Sequence, residues 1–222
     1  HTHTHTHTHT HTGGLSVMGV LPKLTAQVIL ARLEGLAESN NLRARNQAGF
    51  RAGARIEDNG LLLQTAIEKA HASKEPLYLL FVDLEKAYDS IDRSKLWGLL
   101  VEELQLPPPL VGCVQRLYKQ LSAQLADAPG FQAIPIRVGL KQGCPCSPLL
   151  FSLYFDRVEQ AVQAALSGAY GRQGDEFVKL AALQLVMLLF ADDVVLVARL
   201  LAGLERSFEA FASFCAANHL RI

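Results

Sequence analysis

Two adjacent acids, Asp192 and Asp193, stand between two short apolar runs, residues 188–191 and 194–197. Each run is rich in Leu or Val and has the length of a buried strand, so the segment predicts two strands joined by a tight turn. The turn would hold both carboxylates at its tip, where their repulsion is about 1 kcal/mol in water and larger where water is excluded. A bound cation would offset that repulsion. The alternative is that Asp serves here only as a common turn residue.

The uncharged run that leads into this segment, residues 180–191, is too short to span a membrane. A span needs about 20 apolar residues, and two acids at its end would be costly in lipid. No charged segment followed by an apolar segment opens the sequence, so we expect an intracellular protein without a secretory signal. The four cysteines have no zinc-type spacing and are expected to be reduced thiols.

The chain carries 21 basic and 21 acidic residues, and half of its 222 residues are hydrophobic. A large core is therefore expected, whereas the net basic charge typical of nucleic-acid binding is missing, although a local basic groove remains compatible with this balance. Residues 1–14 form a low-complexity tail of alternating His and Thr that ends in two glycines. This tail is either a metal-affinity tag or a translated CA repeat, and we favour the repeat.

Two further segments carry polar residues at places where apolar elements begin or end. Asp83 follows the continuous apolar run 77–82, which predicts a central strand, although a lone Asp in this place is often a turn or cap residue. Gln142 and Gly143 precede a predicted helix that begins with Ser147 as its N-cap and runs to Gly168. Glycine in such a loop lets the backbone approach a ligand closely.

Taken together, three ordered segments resemble motifs A, B and C of reverse transcriptases, and most closely those of the non-LTR (LINE-type) retrotransposon group. They are Phe-Val-Asp83-Leu-Glu-Lys-Ala-Tyr88-Asp, Gly139-x-x-Gln142-Gly143-x-x-x-Ser147-Pro148-x-x-Phe151 and Phe190-Ala191-Asp192-Asp193. The segments 47–51 and 214–220 also resemble parts of that group. The third motif usually opens with Tyr, and Phe190 keeps the ring without the hydroxyl.

The resemblance implies an RNA-directed DNA polymerase that transfers nucleotides with two Mg²⁺ ions, Mn²⁺ being an alternative ion. It implies that Asp83, Asp192 and Asp193 are the catalytic metal ligands, and that Tyr88 lies under the incoming sugar and excludes a 2′-hydroxyl. Gln142 and Gly143 would lie beside the incoming nucleotide and template, and Arg51 would contact template or phosphates. The implied partners are an RNA template, a DNA primer and deoxynucleoside triphosphates, with no membrane.

The implied fold is α+β, a right-hand polymerase palm with partial fingers and no thumb. Residues 15–75 would be partial fingers and residues 76–222 the palm with motifs A, B and C. Since an Arg-Pro segment before the first helix and the thumb are both absent from this sequence, we expect little or no polymerase activity from it. Two alternatives stay open, namely a catalytically inactive retroelement remnant and another palm-type enzyme such as an RNA-dependent RNA polymerase.

Overall fold

A computed structural model describes residues 19–119, 122–123, 134–135, 137–168, 178–180 and 183–222. The predicted His-Thr tail, residues 1–14, lies outside the described residues. The α-helices are α1 (Val20–Ser39), α2 (Ile56–Ser73), α3 (Ala87–Ser90), α4 (Arg93–Gly98), α5 (Pro108–Tyr118), α6 (Ser147–Phe155), α7 (Arg157–Gly168) and α8 (Leu201–Ala217), and a π-helix, Leu99–Glu103, follows α4 directly. The strands are β1 (Tyr78–Val82), β2 (Ser122–Ala123), β3 (Ile134–Pro135), β4 (Val178–Leu180), β5 (Leu183–Leu185), β6 (Met187–Phe190) and β7 (Asp193–Ala198).

The central element is a three-stranded antiparallel sheet in the order β1-β7-β6, with β7 in the middle. The predicted hairpin and the predicted strand before Asp83 are both confirmed, since β6 and β7 pair around the Ala191–Asp192 turn and β1 pairs with β7. The strand pairs β2–β3 and β4–β5 are separate small ladders. Mixed helix and sheet of this kind confirms the predicted α+β class.

Strands β6 and β7 are buried over most of their length, as their nearly continuous apolar runs predict, whereas in β1 only Val82 is buried and Phe81 is exposed. On one face Val82, Val194 and Leu196 join the large core, which also contains buried side chains of α1, α5, α6, α7 and α8. On the other face Leu188 and Val197 pack with α2 around Ala66. The period of two along each strand therefore assigns alternate side chains to two different cores.

Helix α6 lies in the middle of the large core, where Phe151 and Phe155 are fully buried. The sequence predicted one helix from Ser147 to Gly168, but the chain has two helices that meet at Asp156. Ser147 was expected to be the N-cap, whereas it is the first helical residue and its hydroxyl donates to the Lys141 carbonyl at 2.7 Å.

None of the helices in the described ranges combines the length and the apolar character that crossing a lipid bilayer requires.

Candidate active site

The Ala191–Asp192 turn joins β6 to β7, and Phe190 and Asp193 pair across its base. Ala191 has a φ of 56°, in the left-handed region that hairpin turns of this length usually fill with Gly, Asn or Asp. This conformation costs an ordinary L-residue about 1–2 kcal/mol. The turn is therefore strained, and contacts from outside the hairpin must hold it in place.

The strand pairing brings Asp83 to the same end of the sheet as the turn. Val82 pairs with Val194, so the ladder continued by one residue puts Asp83 opposite Asp193. Asp83 and Asp193 also contribute to the wall of one mainly apolar cavity of about 470 Å³ between α2 and the sheet, which Phe81 and Phe190 line as well. Two acids that are 110 positions apart in sequence, Asp83 and Asp193, thus lie together on the sheet.

The charges of Asp83 and Asp193 act on the carboxyl of Asp192. Burial raises the pKa of the half-buried Asp192 carboxyl, and the charges of Asp193 and then Asp83 raise it further, against a hydrogen bond from its own backbone N–H. Asp83 and Asp193 are exposed. A divalent cation would relieve the repulsion that Asp83 and Asp193 exert on Asp192, and carboxylate oxygens are the ligands that Mg²⁺ prefers.

Asp83, Asp192 and Asp193 do not form a complete set of metal ligands in this structure. Across the described residues, no group of three or more His, Cys, Asp or Glu side chains is arranged to hold a metal ion. The ligand roles of Asp83, Asp192 and Asp193 therefore stay a prediction. What fits a cation is the donor chemistry and the mutual repulsion of these carboxylates at one end of the sheet.

The raised pKa of Asp192 has a consequence for stability. The native chain binds this proton more tightly than the unfolded chain, so ionised Asp192 lowers the free energy of unfolding at neutral pH. Without divalent metal, Asp192→Asn is expected to raise that free energy at pH 7, by no more than about 1 kcal/mol because the carboxyl is half exposed. The gain should fade as the pH falls through the native pKa and vanish below the unfolded pKa of Asp, about 3.9, because the wild-type carboxyl is then protonated in both states. Urea unfolding in EDTA at several pH values measures this difference, and a variant less stable than wild type at pH 7 would contradict it.

Tyr88 lies on α3, shortly after Asp83. Its ring stacks on Phe151 of α6, with ring centroids 4.6 Å apart. Its hydroxyl is buried and has no hydrogen-bond partner among the described residues. Burial, and next the charge of Asp192, raise the pKa of this hydroxyl, which shows that the Tyr88 side chain and the turn are electrostatic neighbours.

Gln142 and Gly143 form a turn just before α6, where Gly143 has a φ of 77° that favours glycine. The preceding residues attach this segment to α3, because the Leu140 N–H donates to the Tyr88 carbonyl at 2.8 Å. Gly139 packs so closely there that a Cβ atom would lie 2.8 Å from the Asp89 carbonyl oxygen. The second motif is thus joined to the first through the backbone.

Arg51 uses its guanidinium within the chain. Its Nη2 pairs with Glu38 Oε2 at 2.8 Å and its Nη1 donates to the Ala44 carbonyl at 3.2 Å. Nothing in these contacts tests whether Arg51 also reaches a template or a phosphate, so that role stays a prediction.

Two buried polar side chains beside the turn, Gln47 and Asp156, were not predicted as site residues. The sequence places Gln47 in a loop segment, where burial is not expected, and Asp156 in the interior of a helix. Burial raises the pKa of Asp156 to about 6, against hydrogen bonds from Gln47 and Ala44 that lower it. The available signal was a polar side chain inside a strongly apolar helical segment, since Asp156 directly follows Phe155.

The chain is similar to known proteins over nearly its whole length. Residues 10–222 match the family described as reverse transcriptase (RNA-dependent DNA polymerase). The chain is 29% identical over 210 residues to the Transposon TX1 uncharacterized 149 kDa protein of Xenopus laevis, covering 94% of this chain and 15% of that protein. It is 28% identical over 194 residues to the retrovirus-related Pol polyprotein from type-2 retrotransposable element R2DM of Drosophila melanogaster, covering 86% and 17%.

The fold of the chain is also similar to that of solved protein structures. Telomerase from Candida albicans, in complex with a fragment of telomeric RNA, superposes with a TM-score of 0.57 at 13% identity, over 90% of this chain and 33% of that one. Apo telomerase from Candida tropicalis superposes with a TM-score of 0.54 at 13% identity, over 88% and 38%. The chain spans less than a fifth of the length of the two curated relatives above.

Proposed function

The chain belongs to the reverse transcriptase family, in the group carried by non-LTR retrotransposons, and on this premise we propose that it contains the nucleotidyl-transfer centre of an RNA-directed DNA polymerase. The observation that supports this proposal most strongly is the β1–β7 register, which brings Asp83 beside the Asp192–Asp193 pair. The proposed partners are an RNA template, a DNA primer and deoxynucleoside triphosphates.

In this proposal Asp83, Asp192 and Asp193 hold two Mg²⁺ ions, or Mn²⁺ in their place. Bound divalent ions of this kind polarise the attacking 3′-hydroxyl and stabilise the leaving pyrophosphate. The chain's own contribution is to aim its carboxylates from two strands at one place and to keep Asp192 half-buried, so that its charge is less screened by water. The ends of rigid strands suit this task better than a free loop would.

The remaining proposed roles concern substrate contacts. The Tyr88 ring, held against Phe151, would lie under the sugar of the incoming nucleotide and exclude a 2′-hydroxyl. Gln142 and the exposed Gly143 would contact the nucleotide and the template, since Gly143 leaves the backbone open to close approach. Arg51 would contact template or phosphates from a position fixed by Glu38.

We also propose a division of the chain within a right-hand polymerase. Residues 15–75, with α1 and α2, would belong to the fingers, and residues 76–222, with the central sheet and α3–α8, would form the palm. No thumb is assigned within the 222 residues. The fold-level likeness to two telomerases supports this division without testing its boundaries.

The test of the proposal is addition of a single deoxynucleotide to a DNA primer on an RNA template, at low salt and with Mg²⁺. We expect slow, template-directed addition that disappears when EDTA is added and when Asp192 is replaced by Asn. If the wild-type chain adds no more nucleotide than Asp192→Asn does, the proposal fails. The second candidate, a folded retroelement remnant without catalysis, would then be favoured, in line with the incomplete set of metal ligands among the described residues.

Tyr88→Val is expected to relax selection against ribonucleotides by about tenfold or more, because the smaller side chain leaves room for a 2′-hydroxyl. The ratio of ribonucleotide to deoxynucleotide addition in the same assay measures the effect. Tyr88→Phe is the matched control, since it keeps the ring and removes only a hydroxyl to which no described residue is hydrogen-bonded. Unchanged selection in an active Tyr88→Val chain would refute the assignment.

A further inference from the structure

We propose that Gln47 is a positioning residue, whose side-chain amide fixes the Ala191–Asp192 turn and thereby the place that the Asp192 carboxylate can occupy. This inference rests on the proposed function, because it assigns the turn a metal-binding role. Gln47 does not contact the reacting groups itself and acts only through the backbone of Ala191.

The Gln47 amide makes every hydrogen bond that its two polar atoms allow. Gln47 Oε1 accepts from the backbone N–H groups of Ala191 and Gly49, each at 2.9 Å. Gln47 Nε2 donates to Asp156 Oδ1 at 3.0 Å and to the Ala191 carbonyl at 3.2 Å. One side chain thus binds both backbone groups of a single turn residue, as a neighbouring strand would.

The residue held in this way is the strained one. Ala191 has the left-handed φ of 56° and directly precedes Asp192. Without an external partner, its buried N–H and carbonyl groups would lose hydrogen bonds worth about 1–3 kcal/mol. Without the hydrogen bonds from Gln47, the backbone of Ala191 would be freer to move, and the Asp192 side chain that follows it would be less well oriented.

Gln47 is itself rigidly placed. Its side chain is 1% exposed, and its segment lies parallel to β6, where the Ala48 N–H donates to the Leu189 carbonyl at 2.9 Å and the Leu189 N–H donates to the Asn46 carbonyl at 3.1 Å. Asp156, between α6 and α7, accepts from both Gln47 and the Ala44 N–H, the latter at 3.0 Å. The amide therefore links the turn to the helix pair that follows Gln142 and Gly143.

The backbone packing around the turn supports the same role. A Cβ atom on Gly49 would lie 2.2 Å from the Ala191 nitrogen, so the segment and the turn are already in direct contact. At position 49 only glycine leaves enough room for the Ala191 N–H to reach the side-chain amide of Gln47. Gln47 and Gly49 therefore act as a pair, one binding the turn and the other making room for it.

The test compares Mn²⁺ binding by the full chain and its variants, followed by the electron paramagnetic resonance signal of free Mn²⁺. Gln47→Met keeps the length of the side chain and removes its hydrogen bonds. Asn46→Ala is the matched control, because Asn46 is in the same buried segment but its side chain bonds Glu159 at 2.9 Å instead of the turn. Both variants are expected to be less stable, whereas only Gln47→Met should bind Mn²⁺ more weakly, by about 10–100-fold.

The outcomes separate this inference from the proposed function. If wild type and Asp192→Asn bind Mn²⁺ equally, the proposed metal site fails. If wild type binds in an Asp192-dependent way and a folded Gln47→Met chain binds as tightly, Gln47 is only structural and the inference is overturned. Should Gln47→Met not fold, amide exchange in the wild-type chain decides. The Ala191 N–H is then expected to exchange far more slowly than the amide of Ala52, which lies in an exposed loop, and equal rates would overturn the inference.

Discussion

Asp192→Asn and Asp83→Asn are each expected to lower single-nucleotide addition on a primed RNA template by about 10²-fold, to a residual rate that long incubation still measures. Each change keeps the size of the side chain and removes one negative charge from the acid cluster. The loss follows from weaker metal binding, since carboxylates are the ligands that Mg²⁺ prefers and a neutral amide is a poorer one.

The double variant distinguishes a shared site from two separate contributions. If Asp83 and Asp192 act as one unit, Asp83→Asn combined with Asp192→Asn should be no worse than either single change. Asp89→Asn is the matched control, because Asp89 is an exposed acid of the same motif for which no catalytic role is proposed. A double variant that loses the product of the two single effects, or an equal loss in Asp89→Asn, would contradict the shared site.

Gly49→Ala is expected to have the largest effect on stability, with a loss of about 3 kcal/mol or more in the free energy of unfolding. The added Cβ atom would lie 2.2 Å from the Ala191 nitrogen and 2.9 Å from the Gln47 Oε1 atom. The nearest atom belongs to backbone that is already strained, so it cannot move aside cheaply. Urea unfolding followed by circular dichroism measures the loss.

Gly35→Ala is the matched control for that change. Gly35 is exposed in the interior of α1, and a Cβ atom there would meet nothing within 4 Å. Its replacement is expected to raise the free energy of unfolding by up to about 1 kcal/mol, because Ala favours the helix. If Gly49→Ala were as stable as wild type, the segment would not be packed against the turn as described.

The sequence predicted the hairpin and β1 because both are short apolar runs that end at acids, which is a local pattern. It could not predict that these acids meet, because the strand register depends on pairing between β1 and β7, whose nearest paired residues, Val82 and Val194, are 112 positions apart, and on which face each strand buries. The prediction that the acids lie together came instead from the resemblance of three ordered motifs to those of reverse transcriptases. The structure supports it physically through the pairing of Val82 with Val194.

What the sequence could not indicate was the support behind the turn. Gln47 is a polar residue in a segment without periodicity, and polar residues in such segments are usually exposed. Its burial depends on a parallel contact with β6 and on Asp156, a residue 109 positions later that was assigned to a continuous helix. The pairing of residues so distant in sequence leaves no local pattern, so only the folded chain reveals it.

Cleavage of the backbone by bound Fe²⁺ tests the central claim most directly, since Fe²⁺ in a carboxylate site generates hydroxyl radicals that cut the nearby chain when peroxide and ascorbate are added. The acid cluster predicts cuts near both Asp83 and Asp192, mapped by mass spectrometry, that excess Mg²⁺ suppresses. Asp192→Asn should remove both sets of cuts together. Mg²⁺ is a poor competitor for imidazole ligands, so cuts within the His-Thr tail should persist. Cuts confined to the tail, or cuts near Asp192 without any near Asp83, would contradict a shared metal site.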